Sequence, residues 1–185
     1  MARFKDIYKN KVVPELVKKF NCTNPMAVPK LKKIIVSMGV GKNVQDKKFI
    51  EMAKKDLIQI TGQLLLVCRA KKSVSNFKLR EGDLIGLKVT LRGLRMYEFM
   101  DRLVSLSIPR IRDFRGLNPD SFDGNGNYSM GISEQSVFPE IDPAKIEFQQ
   151  GMNITFVTST DSDEQAREML VLFGMPFKTK GSENN

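Results

Sequence analysis

The chain has 185 residues, 30 Lys+Arg against 21 Asp+Glu, a formal net charge of +9 and a hydrophobic fraction of 41%. That is enough for one core of about 150 residues, and the charge favours an anionic partner. The absence of His excludes Ser-His-Asp triads, His-ligated zinc and imidazole general bases, and the two Cys (Cys22 and Cys68) cannot supply a four-Cys metal site. Two thiols also point to a reducing, cytoplasmic compartment rather than a disulfide scaffold.

In chain order, Phe4, Ile7, Tyr8, Val12, Leu16 and Phe20 share a stripe that predicts a helix over 3–20, kinked or restarted at Pro14. Residues 21–29 hold Asn, Thr and two Pro and read as a loop. A strand follows at 31–41. Ile34, Val36, Met38 and Val40 point one way, and Lys33, Ile35, Ser37, Gly39 and Gly41 the other. Small residues on that second face let another backbone come close. Residues 46–61 predict a helix with Asp46 as N-cap and Gly62 as its stop. A short buried strand is expected at 64–69 and a polar, basic connection at 70–83. At 84–92 Ile85, Leu87, Val89 and Leu91 face inward, while Gly86, Lys88, Thr90 and Arg92 face outward. A helix at 94–106, a long loop at 107–127, strands near 128–133 and 153–159, and a last helix capped by Thr160 or Asp161 complete the reading. The tail 178–185 is polar and predicted to be frayed.

This order predicts an α+β fold: one mostly antiparallel sheet of about five strands, with helices packed on one face and the other face open. Charge is unevenly divided along it. Residues 1–95 carry 22 Lys+Arg against 7 Asp+Glu, and residues 96–185 carry 8 against 14. A basic half and an acidic half imply two kinds of contact, one of them with a polyanion. An open, basic sheet face built of small residues suits a sugar–phosphate backbone.

Three chemical motifs weaken on inspection. Gly39-Val-Gly41-Lys42-Asn43 fails the phosphate-loop pattern, because Val36 stands where its first Gly belongs and Asn43 follows the Lys. Asp123-Gly-Asn125-Gly-Asn127 resembles a calcium loop, but Tyr128 occupies the sixth position, where Gly is needed, so the segment reads as a turn. Asp120, Asp123 and Glu134 could serve a metal-dependent RNA-processing enzyme only if they converged on a cation, and nothing in their spacing places them on rigid elements. A peripheral membrane protein is disfavoured because the basic residues lie on strands and a loop rather than one amphipathic helix. The connection 70–83 interleaves Lys71, Lys72, Lys78 and Arg80 with Ser73, Ser75, Asn76 and Phe77, which suits RNA backbone contact with base stacking, or else a solvated hairpin tip.

The segments 31–43, 62–63, 69–93, 97–117, 122–141 and 151–177 closely resemble the bacterial large-subunit ribosomal protein L-five family. The motifs that carry the likeness are Arg-Ala-Lys-Lys-Ser, Phe-Lys-Leu-Arg-Glu-Gly, Asp-Phe-Arg-Gly-Leu and Phe-Asp-Gly-Asn-Gly-Asn-Tyr. The resemblance implies a non-enzymatic, cytoplasmic ribosome component without cofactor or metal, with residues 1–177 as a single ribosomal-protein domain. It further implies binding to 5S rRNA in the central protuberance, contact with P-site tRNA, and an intersubunit bridge to the small-subunit head protein S-thirteen. Carried onto this chain, Lys33, Ser37, Gly39, Asn43, Gln63, Thr90 and Arg92 are expected at rRNA, and Lys71, Lys72, Asn76, Lys78 and Arg80 at tRNA. Arg110, Arg112, Asp113, Arg115, Glu134 and Glu140 are expected at the bridge.

Overall fold

The computed structural model describes residues 2–22, 24–40 and 47–178. The expectations for Asn43, for Asp46 as a helix cap and for the tail beyond Lys178 therefore lie outside the described residues. Five strands form one antiparallel sheet in the order β2-β3-β1-β5-β4, with β1 Leu31–Gly39, β2 Leu66–Arg69, β3 Leu84–Leu91, β4 Tyr128–Ile132 and β5 Met152–Thr158. The helices are α1 Arg3–Ile7, α2 Val13–Phe20, α3 Lys47–Thr61, α4 Gly93–Arg102 and α5 Asp163–Leu172. The α+β expectation is met.

The strands alternate as their sequences require. Along β1, Ile34, Val36 and Met38 are buried, whereas Lys33, Ile35 and Ser37 are half-buried and Gly39 is exposed. Along β3, Leu87, Val89 and Leu91 are buried and Gly86, Lys88 and Thr90 are not. Met152, Ile154 and Phe156 on β5 and Tyr128, Met130 and Ile132 on β4 complete the buried set, with Asn153, Ser129 and Gly131 on the exposed side. Period-two patterning thus produces one covered and one uncovered face.

By compactness the chain forms two units, one of Met1–Ile34, Arg92–Met130 and Thr155–Asn185, the other of Ile35–Leu91 and Gly131–Ile154. In the first unit, α1 and α2 are joined by a π-helical turn, Tyr8–Val12. Phe4, Tyr8, Val12, Leu16 and Phe20 are spaced by fours, and on an unbroken α-helix each such step drifts by ~40° around the axis. The wider π turn takes up part of that drift and keeps Phe4, Val12 and Leu16 buried together. It also lies just upstream of Pro14, which cannot donate to the carbonyl four residues back. Phe4 and Tyr8 both stack on Phe173, at 5.7 and 6.0 Å between ring centres. Around the acidic turn, Tyr128 packs on Phe122 (4.8 Å), Phe177 (5.3 Å) and Phe156 (6.3 Å).

Tyr128 is 1% exposed and its hydroxyl donates to the Asn118 carbonyl at 3.0 Å. Burial pushes its phenol up to about 12, because a phenolate there would lose its water. A folded-state pKa above the ordinary value means the neutral form is the one the fold favours. Its contribution is full below pH 10 and is lost as pH rises from 10 to 12. Tyr128→Phe should therefore be less stable by about 1 kcal/mol at pH 7, for the lost hydrogen bond. It should also escape about 2 kcal/mol of the wild-type loss between pH 9 and 12. Urea melts at both pH values check this; parallel declines in the two proteins would show that the phenol titrates normally.

Several local expectations need correction. The segment expected as a buried strand at 64–69 is an edge strand only four residues long, with Leu64 83% and Leu66 66% exposed. Leu66 pairs opposite Lys88 and so faces the uncovered side of the sheet, and Leu64 precedes the strand. Ile85, expected inward, is 38% exposed at the start of β3, whose burial begins at Leu87. The helix expected at 94–106 continues through a π turn (Leu103–Ser107) and a 3-10 turn to Arg110, which shortens the following loop. The N-cap of α5 is Ser162 rather than Thr160 or Asp161. The Thr160 hydroxyl is instead hydrogen-bonded to the Gln165 amide oxygen and accepts from the Ser162 amide.

Candidate nucleic-acid interface

The uncovered face of β1 and β3 in the second unit is low and mostly small or polar. Ile35, Ser37 and Gly39 on β1 and Gly86, Lys88 and Thr90 on β3 form it. A Cβ at Gly86 would sit 2.9 Å from the Met38 carbonyl oxygen, so glycine there lets the two strands close up. At Gly39 a Cβ would meet nothing within 4 Å, so the space above is open. Ser37, Gln63 and Thr90 are all half-buried, reachable from solvent rather than sealed in the core.

Gln63 is aimed by the end of α3. Gly62, at φ 64, terminates the helix and donates to the Ile58 carbonyl at 2.8 Å. The Thr61 hydroxyl donates to Leu57 at 2.7 Å, and the Gln63 side-chain amide donates to the Thr90 carbonyl at 3.0 Å. By strand alternation Lys33 belongs to the same side of β1 as Ser37, and Arg92 follows directly on β3 and is exposed; both fall in the first unit.

Residues 70–83 form a built hairpin rather than a loose tip. Val74 and Leu79 exchange backbone hydrogen bonds of 2.9 and 3.1 Å around a 3-10 turn, Ser75–Phe77. Lys78 takes the left-handed conformation at φ 51. At the base, Ala70 donates to Asp83 at 2.8 Å and Gly82 to Ala70 at 3.0 Å, and the Arg69 guanidinium reaches the Gly82 carbonyl at 3.2 Å. Side chains contribute too: the Glu81 amide donates to Ser73 Oγ and the Arg80 amide to Asp83 Oδ2, at 2.9 and 2.8 Å. Lys71, Lys72, Asn76, Lys78 and Arg80 are all exposed, and Phe77 is 80% exposed at the tip.

The expected bridge residues divide. Arg110, Arg112, Asp113 and Arg115 are exposed in the first unit, with Asp113 at φ 52. Glu134 and Glu140 lie in the second unit, where Glu134 accepts from the Ser136 hydroxyl at 3.1 Å. Gln59 donates to the Glu140 carbonyl.

The Asp123–Asn127 segment is a turn organised around the Asp123 carboxylate and tied to Thr158 and Asp163. Asp123 accepts from the amides of Asn125 and Asn127 at 2.9 and 3.0 Å and from the Asn127 side chain at 2.7 Å. That side-chain bond, seconded by the backbone amides, holds its carboxyl below the usual range. Among the described residues no group of three or more His, Cys, Asp and Glu side chains is placed to hold a metal ion, and no helix is long and apolar enough to cross a membrane.

Lys88 and Leu66 lie on the uncovered face and are not among the expected rRNA residues. Lys88 follows the same alternation as Thr90 and could have been added from it. Leu66 pairs directly across from Lys88 and so shares its face, a placement visible only once the register between β2 and β3 is known.

Two family models cover most of the chain: "Ribosomal protein L5" matches residues 24–80, and the model for the C-terminus of the same ribosomal protein family matches residues 84–177. Among curated relatives, the large ribosomal subunit protein uL5 of Carboxydothermus hydrogenoformans is 55% identical over 177 residues, 96% of this chain and 99% of the relative. Those of Syntrophus aciditrophicus and Bifidobacterium adolescentis are 52% and 56% identical, over 97% and 95% of this chain and 100% and 93% of theirs. With relatives this similar matched almost end to end, the chain belongs to the ribosomal protein L5 family.

Proposed function

We propose that the protein is a structural constituent of the large ribosomal subunit, working in the cytoplasm, that binds 5S rRNA on the uncovered face of its sheet. It is not an enzyme, as its family is a structural one. The observation that supports the rRNA reading is the half-buried trio Ser37, Gln63 and Thr90 on a face that glycines keep low and that carries Lys88. Lys33, Lys88 and Arg92 neutralise phosphates, and the hydroxyls and amide bond riboses or unstacked bases. Gly39 permits close approach of the RNA, and Asn43 follows on the same segment.

The hairpin 70–83 carries the second part of the reading, contact with P-site tRNA. Lys71, Lys72, Lys78 and Arg80 meet its phosphates, Asn76 bonds its sugar or base edges, and Phe77 offers a ring for stacking. Arg110, Arg112, Asp113 and Arg115 in the first unit, and separately Glu134 and Glu140 in the second, are the residues of this reading for contact with the small-subunit head protein S-thirteen.

Filter binding of 5S rRNA over a range of salt tests the central claim. The three phosphates met by Lys33, Lys88 and Arg92 predict a log–log slope of about −2 to −3. A flat response would remove the phosphate contacts and the proposal with them.

A further inference from the structure

We infer that Leu64 and Leu66, at the free edge of the sheet, are a seat for the sugar and base surfaces of the bound RNA, set among cations that hold its phosphates. The inference rests on the reading that this face binds rRNA. It begins from an anomaly. The strand leucines Leu87 and Leu91 are at most 1% exposed, yet Leu66 is 66% and Leu64 83% exposed. β2 stands at the end of the strand order and pairs only with β3. Leu66 lies opposite Lys88, which places it on the same uncovered side as Thr90 and Ser37. Exposed edges are commonly protected by charge or proline, and β2 opens on neither.

What covers these leucines is decided by charge. Arg69 on β2 and Lys88 opposite Leu66 stay available to the rRNA, and the hairpin adds Lys71, Lys72, Lys78 and Arg80, the cations proposed for tRNA, against only Glu81 and Asp83. Among the described residues, none of these six cations is ion-paired. Asp83 is already engaged with the Arg80 amide. An added protein strand would have to satisfy that excess with its own carboxylates. It would also have to pair along an edge only four residues long, whose register shifts between Cys68 and Arg69. A nucleic acid brings the complementary charge in its phosphates, and its riboses and base faces supply the apolar surface that two leucines can cover.

The test uses the full chain with 5S rRNA at several salt concentrations. Leu64→Ser/Leu66→Ser should melt at the wild-type temperature, since both side chains already stand in water. Its affinity should fall at least tenfold at every salt, with the log–log slope unchanged, because no phosphate contact is removed. Leu64→Met/Leu66→Met keeps the apolar surface and should bind as wild type; this variant also decides the matter if the Ser form folds poorly. Wild-type affinity in a folded Ser variant overturns the inference while leaving rRNA binding intact. A Met variant as weak as the Ser variant overturns it too. Self-association of the wild type that the Ser variant loses, with RNA affinity unchanged, assigns the edge to a protein strand and also overturns it. Failure of the wild type to bind 5S rRNA at any salt removes the underlying reading as well.

Discussion

Gly126→Ala is expected to destabilise the protein by about 4 kcal/mol, lowering the melting temperature by roughly 10 °C. Two effects add. Gly126 sits at φ 71, where an L side chain is strained by about 1–2 kcal/mol. A Cβ there would also overlap the Thr160 carbonyl oxygen and press on Thr158 Oγ1 at 3.2 Å. Neither neighbour is free to yield. The Thr158 hydroxyl donates to the Gly126 carbonyl at 2.8 Å, and the Gly126 amide donates to Asp163 at 2.7 Å. Gly124 provides the control, since it too has a positive φ, 79, but a Cβ there would meet nothing within 4 Å. Gly124→Ala should cost only the backbone term, about 1–2 kcal/mol. Equal losses in the two variants would mean that the close packing of this turn is not what restricts position 126.

Gln135→Leu should cost about 3 kcal/mol at nearly constant volume. Gln135 is 2% exposed and ties down a segment without regular structure. Its amide donates to the Phe148 carbonyl at 2.6 Å, and its oxygen accepts from the Gln150 amide at 2.5 Å. It also bonds Asp56, whose carboxyl is raised by burial and partly drawn back by that bond. Leucine keeps the bulk and strands all three groups, and each unsatisfied polar group costs about 1–3 kcal/mol. Urea titration gives the total, and faster hydrogen exchange at Gln150 would locate it. A loss below about 1 kcal/mol would show that water replaces the side chain without difficulty.

The elements legible in the sequence were those with a strong period. Alternation in β1 and β3 placed Ser37, Lys88 and Thr90 on one face, because a half-buried strand must alternate to bury anything. Spacing by fours located the first helix, and Pro14 marked its irregular region. Edge status was not legible: the run Leu64-Leu65-Leu66-Val67 reads as buried on composition, and only the strand order and register, set by contacts distant in sequence, leave Leu64 and Leu66 exposed while Leu65 and Val67 are half-buried. The hairpin at 70–83 looked like a polar connection because its ladder is backbone-to-backbone and leaves little trace in residue type. Gln63 is expected at rRNA from the resemblance alone, and its bond to the Thr90 carbonyl depends on where α3 ends relative to β3, which no local pattern encodes.

The bare leucine edge has a consequence for the protein before it meets RNA. A short apolar strand with an unpaired ladder is a template for another chain, and here mutual repulsion of like-charged molecules is what keeps copies apart. That repulsion weakens when ions screen it. Newly made protein is thus held in solution by its net positive charge, so a rise in ionic strength or in the number of copies is what exposes this edge to aggregation.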